Sequence, residues 1–108
     1  MIHSQKLADE YAQLKNQVPD LLLLMQVGSF LQVMGNDAKT VSQVTGIQLK
    51  LSGTPDTPLV SGGFPVSGLD SYVGKLARAG LGVAIALQGA DKRRSICERI
   101  LVTSHGPA

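Results

Sequence analysis

Phe30 and Gln32 stand two residues apart in GSFLQVM (28–34), directly after the apolar run LLLLMQV that begins at Leu21. Residues at that spacing share one face of an extended segment. They would set an aromatic plate beside an amide that both donates and accepts hydrogen bonds. One register sends Leu31 and Val33 into the core and Phe30 with Gln32 outward. The opposite register buries Phe30 with Met34, the ordinary fate of a large apolar side chain. Periodicity alone leaves the two open.

The second chemical feature is Lys92-Arg93-Arg94, a tight basic run expected at a hairpin tip. Such a run is either a solvated turn or a set of phosphate contacts, which would be sequence-independent and salt-sensitive. Gly62-Gly63 reads as a strand end needing backbone freedom. Cys97 reads as a small packed thiol or an edge-strand residue.

No catalytic constellation emerges. The sequence has no G-x-S-x-G and no H-E-x-x-H, and His3 and His105 lie near opposite ends with no cluster to hold a metal. Gly68 and Gly74-Lys75 approximate a phosphate-binding loop, but the spacing is one residue too long and Leu76 replaces the required Ser or Thr. No enzyme activity, cofactor or small-molecule substrate is therefore expected.

Composition narrows the class further. The 108 residues are 44% hydrophobic and 17% charged, which suits one globular domain. A net charge of +2 permits nucleic-acid binding without demanding it. The opening MIHSQKLADEYAQ lacks the pattern of a secretory leader. The longest apolar run falls well short of the roughly 18 residues a membrane span needs. A single cysteine makes a reducing cytoplasm the simplest compartment.

These features must be positioned by elements that the patterning indicates. Leu7, Tyr11, Leu14 and Val18 form one stripe of a helix over 4–17, with Ser4 as N-cap and Pro19-Asp20 as its stop. Residues 21–27 read as a strand covered on both faces, and 30–34 as a second, short one. Asn36 or Asp37 would cap a helix over 37–45. Ile47, Leu49 and Leu51 alternate with Gln48 and Lys50, the pattern of a half-buried strand. A loop at 52–58 precedes the short apolar piece LVSGGF. Ser67 and Asp70 approximate a capping box for a helix ending before Gly80. Residues 82–88 form another buried strand, and 95–103 alternate as a last one. The fold class expected is α/β, or mixed α+β: a single mixed sheet of about six strands flanked by about three helices. Residues 1–108 form one domain, with 104–108 a linker or frayed tail.

Taken together, the motifs resemble the N-terminal mismatch-recognition domain of the MutS family of DNA mismatch repair proteins. YAQLKNQVPDLLLLMQVGSF is similar to the family's opening helix, proline and apolar strand, which leads into Gly-Asp-Phe-Tyr-Glu. NDAKTVSQVTGIQL resembles the segment that begins Asp-Asp-Ala-Lys, GGFPVSGLDSYVGKLARAGLGVAIALQ the Gly-Ile-Pro-Tyr-His segment with its helix and strand, and ERILVTSHGPA the strand before a Thr-Pro-Gly linker. Four such segments in the right order make the resemblance specific.

The resemblance implies a DNA-binding module with double-stranded DNA, mismatched or distorted, as its partner. Phe30 would fall on the aromatic wedge that stacks on a mispaired base, and Gln32 on the glutamate that hydrogen-bonds it. Lys92, Arg93 and Arg94 are the candidate phosphate contacts. An apolar wedge unstacks and kinks the duplex at a cost of a few kcal/mol per step, less where pairing is already weak. The resemblance favours the outward register for Phe30. It also implies a bacterial-type, nucleoid-associated setting, with self-association or other repair proteins as further partners. The family's ATPase lies outside the region these residues resemble, so no ATP binding is expected of them. Departures are Gln32 for Glu, Leu31 for Tyr, Ser29 for Asp, and Val66-Ser67 for Tyr-His. They leave an alternative: a stand-alone domain that keeps the fold but serves protein interaction or regulation.

Overall fold

The computed structural model describes residues 2–102. The elements run α1 (Ile2–Lys15), β1 (Leu22–Val27), β2 (Phe30–Met34), α2 (Gly35–Thr45), β3 (Lys50–Gly53) and β4 (Pro58–Pro65). A short 3-10 turn (Val66–Gly68) leads into α3 (Leu69–Arg78), then β5 (Val83–Gln88) and β6 (Arg94–Ile100). The six strands form one sheet in the order β3-β4-β2-β1-β5-β6. The central pair β1 and β5 is parallel, and every other pair is antiparallel. The expected mixed sheet with three helices is the observed architecture. No helix among the described residues is long and apolar enough to cross a membrane.

The apolar runs of β1 and β5 are continuous because helices cover both faces of the sheet. Leu22, Leu24, Val83 and Ile85 point to one face, where they pack with Leu31, Val33, Val41, Phe64 and Leu76 beneath α2 and α3. Leu23, Met25, Ala84 and Ala86 point to the other, against Tyr11, Leu14 and Val18 of α1 and its following turn. The two alanines of β5 leave room for α1 to lie close. Each fully buried leucine contributes about 1.5–3 kcal/mol, so these central strands carry much of the stability.

Several local expectations are corrected. Ser4 lies inside α1 rather than at its cap. Met34 occupies the N-cap of α2, so neither Asn36 nor Asp37 does. Gly68 stands at the N-cap of α3 with no side-chain capping bond, because the 3-10 turn absorbs Ser67. The third strand begins at Lys50, not Ile47. Ile47 is buried while Leu49 and Leu51 are exposed, since β3 is an edge strand and only Ile47 of the three belongs to the core beneath α2 and α3. The last strand spans Arg94–Ile100, and Thr103 and the tail 104–108 lie outside the described residues.

Candidate nucleic-acid interface

β1 and β2 form a hairpin whose two-residue turn is Gly28-Ser29, with Val27 opposite Phe30. Gly28 has φ of 62° and Ser29 does not share a positive value. Glycine at the first turn position and an ordinary residue at the second is the primed-turn pattern that matches strand twist. The glycine after the apolar run therefore makes a tight reversal, and it determines which way the next side chain points.

Leu31 and Val33 are fully buried beneath α2 and α3, so Phe30 and Gln32 take the other face. Phe30 is 47% exposed, whereas Phe64, the second phenylalanine, is buried and stacks on Tyr72 with ring centroids 4.0 Å apart. Met34 shares the face of Phe30 but is buried, because α1 covers that end of β2 and not the other. The outward register is thus observed for the first two residues of the stripe, and α1 explains why it fails at the third.

The turn is held from both sides. Gln26 donates from Nε2 to the Gly28 carbonyl at 3.1 Å, and its Oε1 accepts from the Gln88 amide at 2.7 Å. On the far side the Val66 amide donates to the Ser29 carbonyl at 2.9 Å, and Phe30 pairs with Pro65. The Phe30 backbone is fixed by neighbours on three elements. Gln26 escapes notice in the sequence because it sits inside an apolar run and its partners lie up to 68 residues away.

The 89–93 turn between β5 and β6 lies at the same end of the sheet, since β1 and β5 are parallel. At about 4.8 Å per strand, Phe30 and Arg94 are separated by three strand spacings, roughly 14 Å. The three basic residues there differ in kind. Lys92 and Arg93 are exposed on the turn, with Arg93 3.9 Å from Asp91. Arg94 is instead the first residue of β6 and folds beneath α1. Its guanidinium donates to Glu10 Oε1 at 2.7 Å and to the Gln26 carbonyl. The structure thus brings Lys92 and Arg93 to the end of the sheet that carries Phe30 and commits Arg94 to tying α1 to the sheet.

Beside Phe30 and Gln32 lies a cleft of about 350 Å³ reaching across β4 to Gln48, Lys50 and Ser61. Sequence patterning missed Gln48 and Lys50, because only the pairing of β3 with β4 and β4 with β2 brings them here. Among the described residues no group of three or more His, Cys, Asp or Glu side chains is arranged to hold a metal ion. Cys97 is exposed on the edge strand β6.

Comparison with known proteins identifies the lineage of this arrangement. Residues 5–108 match the family model for MutS domain I. The DNA mismatch repair protein MutS of Salinibacter ruber is 41% identical over 83 residues, covering 76% of this chain and 9% of that protein. MutS of Methanothrix thermoacetophila is 36% identical over 99 residues, 88% of this chain and 11% of that protein. MutS of Thermus caldophilus is 35% identical over 82 residues, 76% of this chain and 10% of that protein. The chain therefore spans about a tenth of the length of these relatives. By its match over residues 5–108 and its likeness to these relatives, the chain belongs to the MutS family, in the region of domain I.

Proposed function

We propose that this domain binds double-stranded DNA at mispaired or otherwise distorted positions in mismatch repair, with Phe30 as an inserted aromatic wedge and Gln32 as the contact to the displaced base. The observation that carries the reading is the half-exposed Phe30 ring on a turn fixed by Gln26 and Val66, sharing a face with Gln32. Ordinary folding buries a phenylalanine, as it buries Phe64. A ring held in solvent by a rigid turn is prepaid for insertion, because little conformational freedom remains to be lost on binding. Discrimination then arises from DNA deformability: a weakened base pair costs less to unstack. Lys92 and Arg93 supply phosphate contacts along the same end of the sheet. No reacting group is required of the domain, which acts by binding alone, in the cytoplasm at the nucleoid.

A single domain offers few phosphate contacts, so its affinity is modest and falls with salt. Anisotropy titrations of the 108-residue chain with matched, mismatched and single-base-bulge duplexes test the reading. The distorted duplexes are expected to bind several-fold tighter than the matched one, and Phe30→Ala to remove that preference. Equal binding of all three, or a preference unchanged by Phe30→Ala, would falsify the wedge. Equal and negligible binding would favour a protein-interaction role for the fold, for which the exposed Leu49, just before β3, and Leu51, within it, offer a surface.

A further inference from the structure

The parallel ladder between β1 and β5 stops before either strand does. It runs from Leu22 opposite Val83 to Met25 opposite Ala86, while β1 continues to Val27 and β5 to Gln88. Over those last residues two side chains take the place of backbone bonds. Gln26 Oε1 accepts from the Gln88 amide at 2.7 Å, and the Arg94 guanidinium, reaching across from β6, donates through Nε to the Gln26 carbonyl. Alternation puts the Gln26 side chain on the face of Leu22 and Leu24. Arg94 lies on the opposite face, where Glu10 of α1 accepts from its Nη1 at 2.7 Å. The gap between the strands is bridged from both faces.

The hairpin tip that carries Phe30 depends on this bridge. Beyond Met25 the ladder partner of β1 is β2, with Val27 opposite Phe30. On its other side Phe30 faces Pro65, which has no N–H to donate, and the tip is tied there by the Val66 amide on the Ser29 carbonyl. Gln26 supplies the tie to β5: its Nε2 donates to the Gly28 carbonyl at 3.1 Å while its Oε1 holds the Gln88 amide. One side chain thus joins the turn to the sheet, and Arg94 fixes the backbone of that residue and links it to α1. Arginine suits the place because its planar fork presents donors to two acceptors in a fixed geometry, which an ammonium on a flexible stem does not.

We propose that Gln26 and Arg94 are positioning residues for the Phe30 wedge, and that the chain Glu10–Arg94–Gln26 couples the docking of α1 to the rigidity of the Gly28-Ser29 turn. The proposal rests on the DNA-binding reading above and names what sets its selectivity. Phosphate contacts serve matched and distorted duplexes alike, whereas insertion of the ring serves only the distorted one. A loosened ring loses more conformational freedom on insertion, so slack in the relay lowers the preference and leaves non-specific binding in place.

Backbone ¹⁵N relaxation of the free 108-residue chain tests the positioning, and anisotropy titrations with matched and single-base-bulge duplexes test its consequence. Gln26→Met keeps the length of the side chain and removes both of its hydrogen bonds. It is expected to lower the order at Ser29 and Phe30 and to reduce the preference for the bulge about fivefold, the worth of one neutral hydrogen bond. Glu10→Ala places a good helix former in α1 and releases Arg94; it is expected to produce a smaller change of the same kind. The lost charge raises affinity for both duplexes and cancels in their ratio. Val41→Ala destabilises the core outside the relay and is expected to leave both readouts unchanged. Undiminished order at Ser29 and Phe30 in Gln26→Met overturns the positioning role, and lowered order with the preference intact overturns its part in selectivity. Glu10→Ala indistinguishable from wild type in both readouts overturns the coupling to α1. A preference lost equally in Val41→Ala assigns the effect to general stability and overturns the relay. A wild type without any preference overturns the wedge, while the relaxation data still decide whether Gln26 holds the turn.

Discussion

Lys15 Nζ donates to both oxygens of the Asp37 carboxylate, at 2.9 and 3.1 Å, joining the end of α1 to the first turn of α2 across the start of β1. Asp37 Oδ2 also accepts from the Leu23 amide at 3.0 Å, and the Tyr11 hydroxyl lies 3.1 Å from it, its single proton shared between this carboxylate and the nearer Leu23 carbonyl at 2.6 Å. The carboxylate is buried, and removing it strands the Leu23 amide and takes the counter-charge from Lys15, which keeps only the Leu21 carbonyl. Asp37→Ala is expected to destabilise the domain by about 3 kcal/mol. Asp37→Asn keeps the shape and is expected to cost about half that. Urea unfolding checks both: the midpoint falls and the slope stays constant if the native fold is retained.

The same network predicts an alkaline instability. Burial, and next the Asp37 carboxylate beside it, push the Tyr11 phenol far above its ordinary value. In the unfolded chain a phenol ionises near about 10, whereas in the folded domain Tyr11 stays protonated well beyond that. A raised folded value means the stabilisation is complete below pH about 10 and declines as pH rises above it. The decline is about 1.4 kcal/mol per pH unit from this group. Tyr11→Phe loses the hydroxyl bond to the Leu23 carbonyl at 2.6 Å, so it is less stable at neutral pH. Its stability is expected to fall less steeply between pH 10 and 11, read from unfolding midpoints at each pH.

The order of the nine main elements was legible from apolar runs, periodic stripes and the turn and cap signals between them. Uninterrupted apolar runs marked β1 and β5, and a stripe at spacings of four and three marked α1. What stayed illegible depends on partners distant in sequence. Asp37 reads as a helix cap from its neighbours, and only folding reveals Lys15, 22 residues away, as its partner. The alternation of Ile47, Leu49 and Leu51 reads as one buried face, yet only Ile47 of the three reaches the core. For Phe30, periodicity left two registers and the family resemblance favoured one. The structure adds the physical reason: α2 and α3 claim Leu31 and Val33, and α1 stops short of Phe30. Within the Lys92-Arg93-Arg94 run, Glu10 on α1 separates Arg94 from its neighbours, a long-range pairing no local pattern contains.

Gln32 stands where the family resemblance places a glutamate, and the exchange has a measurable consequence. A carboxylate accepts a charge-assisted bond worth about 1.5–3 kcal/mol, against about 0.5–1.5 for a neutral amide. It also repels the phosphates that flank any inserted wedge. Gln32→Glu is therefore expected to raise the ratio of mismatched to matched affinity about fivefold while lowering affinity for both duplexes at low salt. Anisotropy titrations at two salt concentrations separate these effects, because only the repulsion is screened. A ratio unchanged at both concentrations would mean that this side chain does not reach the displaced base.

Lys92 offers a test in which binding and stability move in opposite directions. It is the one non-glycine residue with positive φ among those described, at 66°. It closes the 89–93 turn, with its amide donating to the Gly89 carbonyl at 2.9 Å. A left-handed conformation costs a side-chain-bearing residue about 1–2 kcal/mol, so Lys92→Gly is expected to stabilise the domain by about 1 kcal/mol. If the ammonium meets a phosphate, the same substitution weakens all duplexes alike and lowers the salt slope of binding by about 1. Arg94→Ala behaves otherwise: it frees Glu10 and unties α1 from the sheet, so it lowers stability. Unfolding midpoints and salt-dependent affinities of the two variants distinguish a residue held for a partner from one held for the fold. Lys92→Gly that is more stable and binds as wild type would remove this turn from the interface.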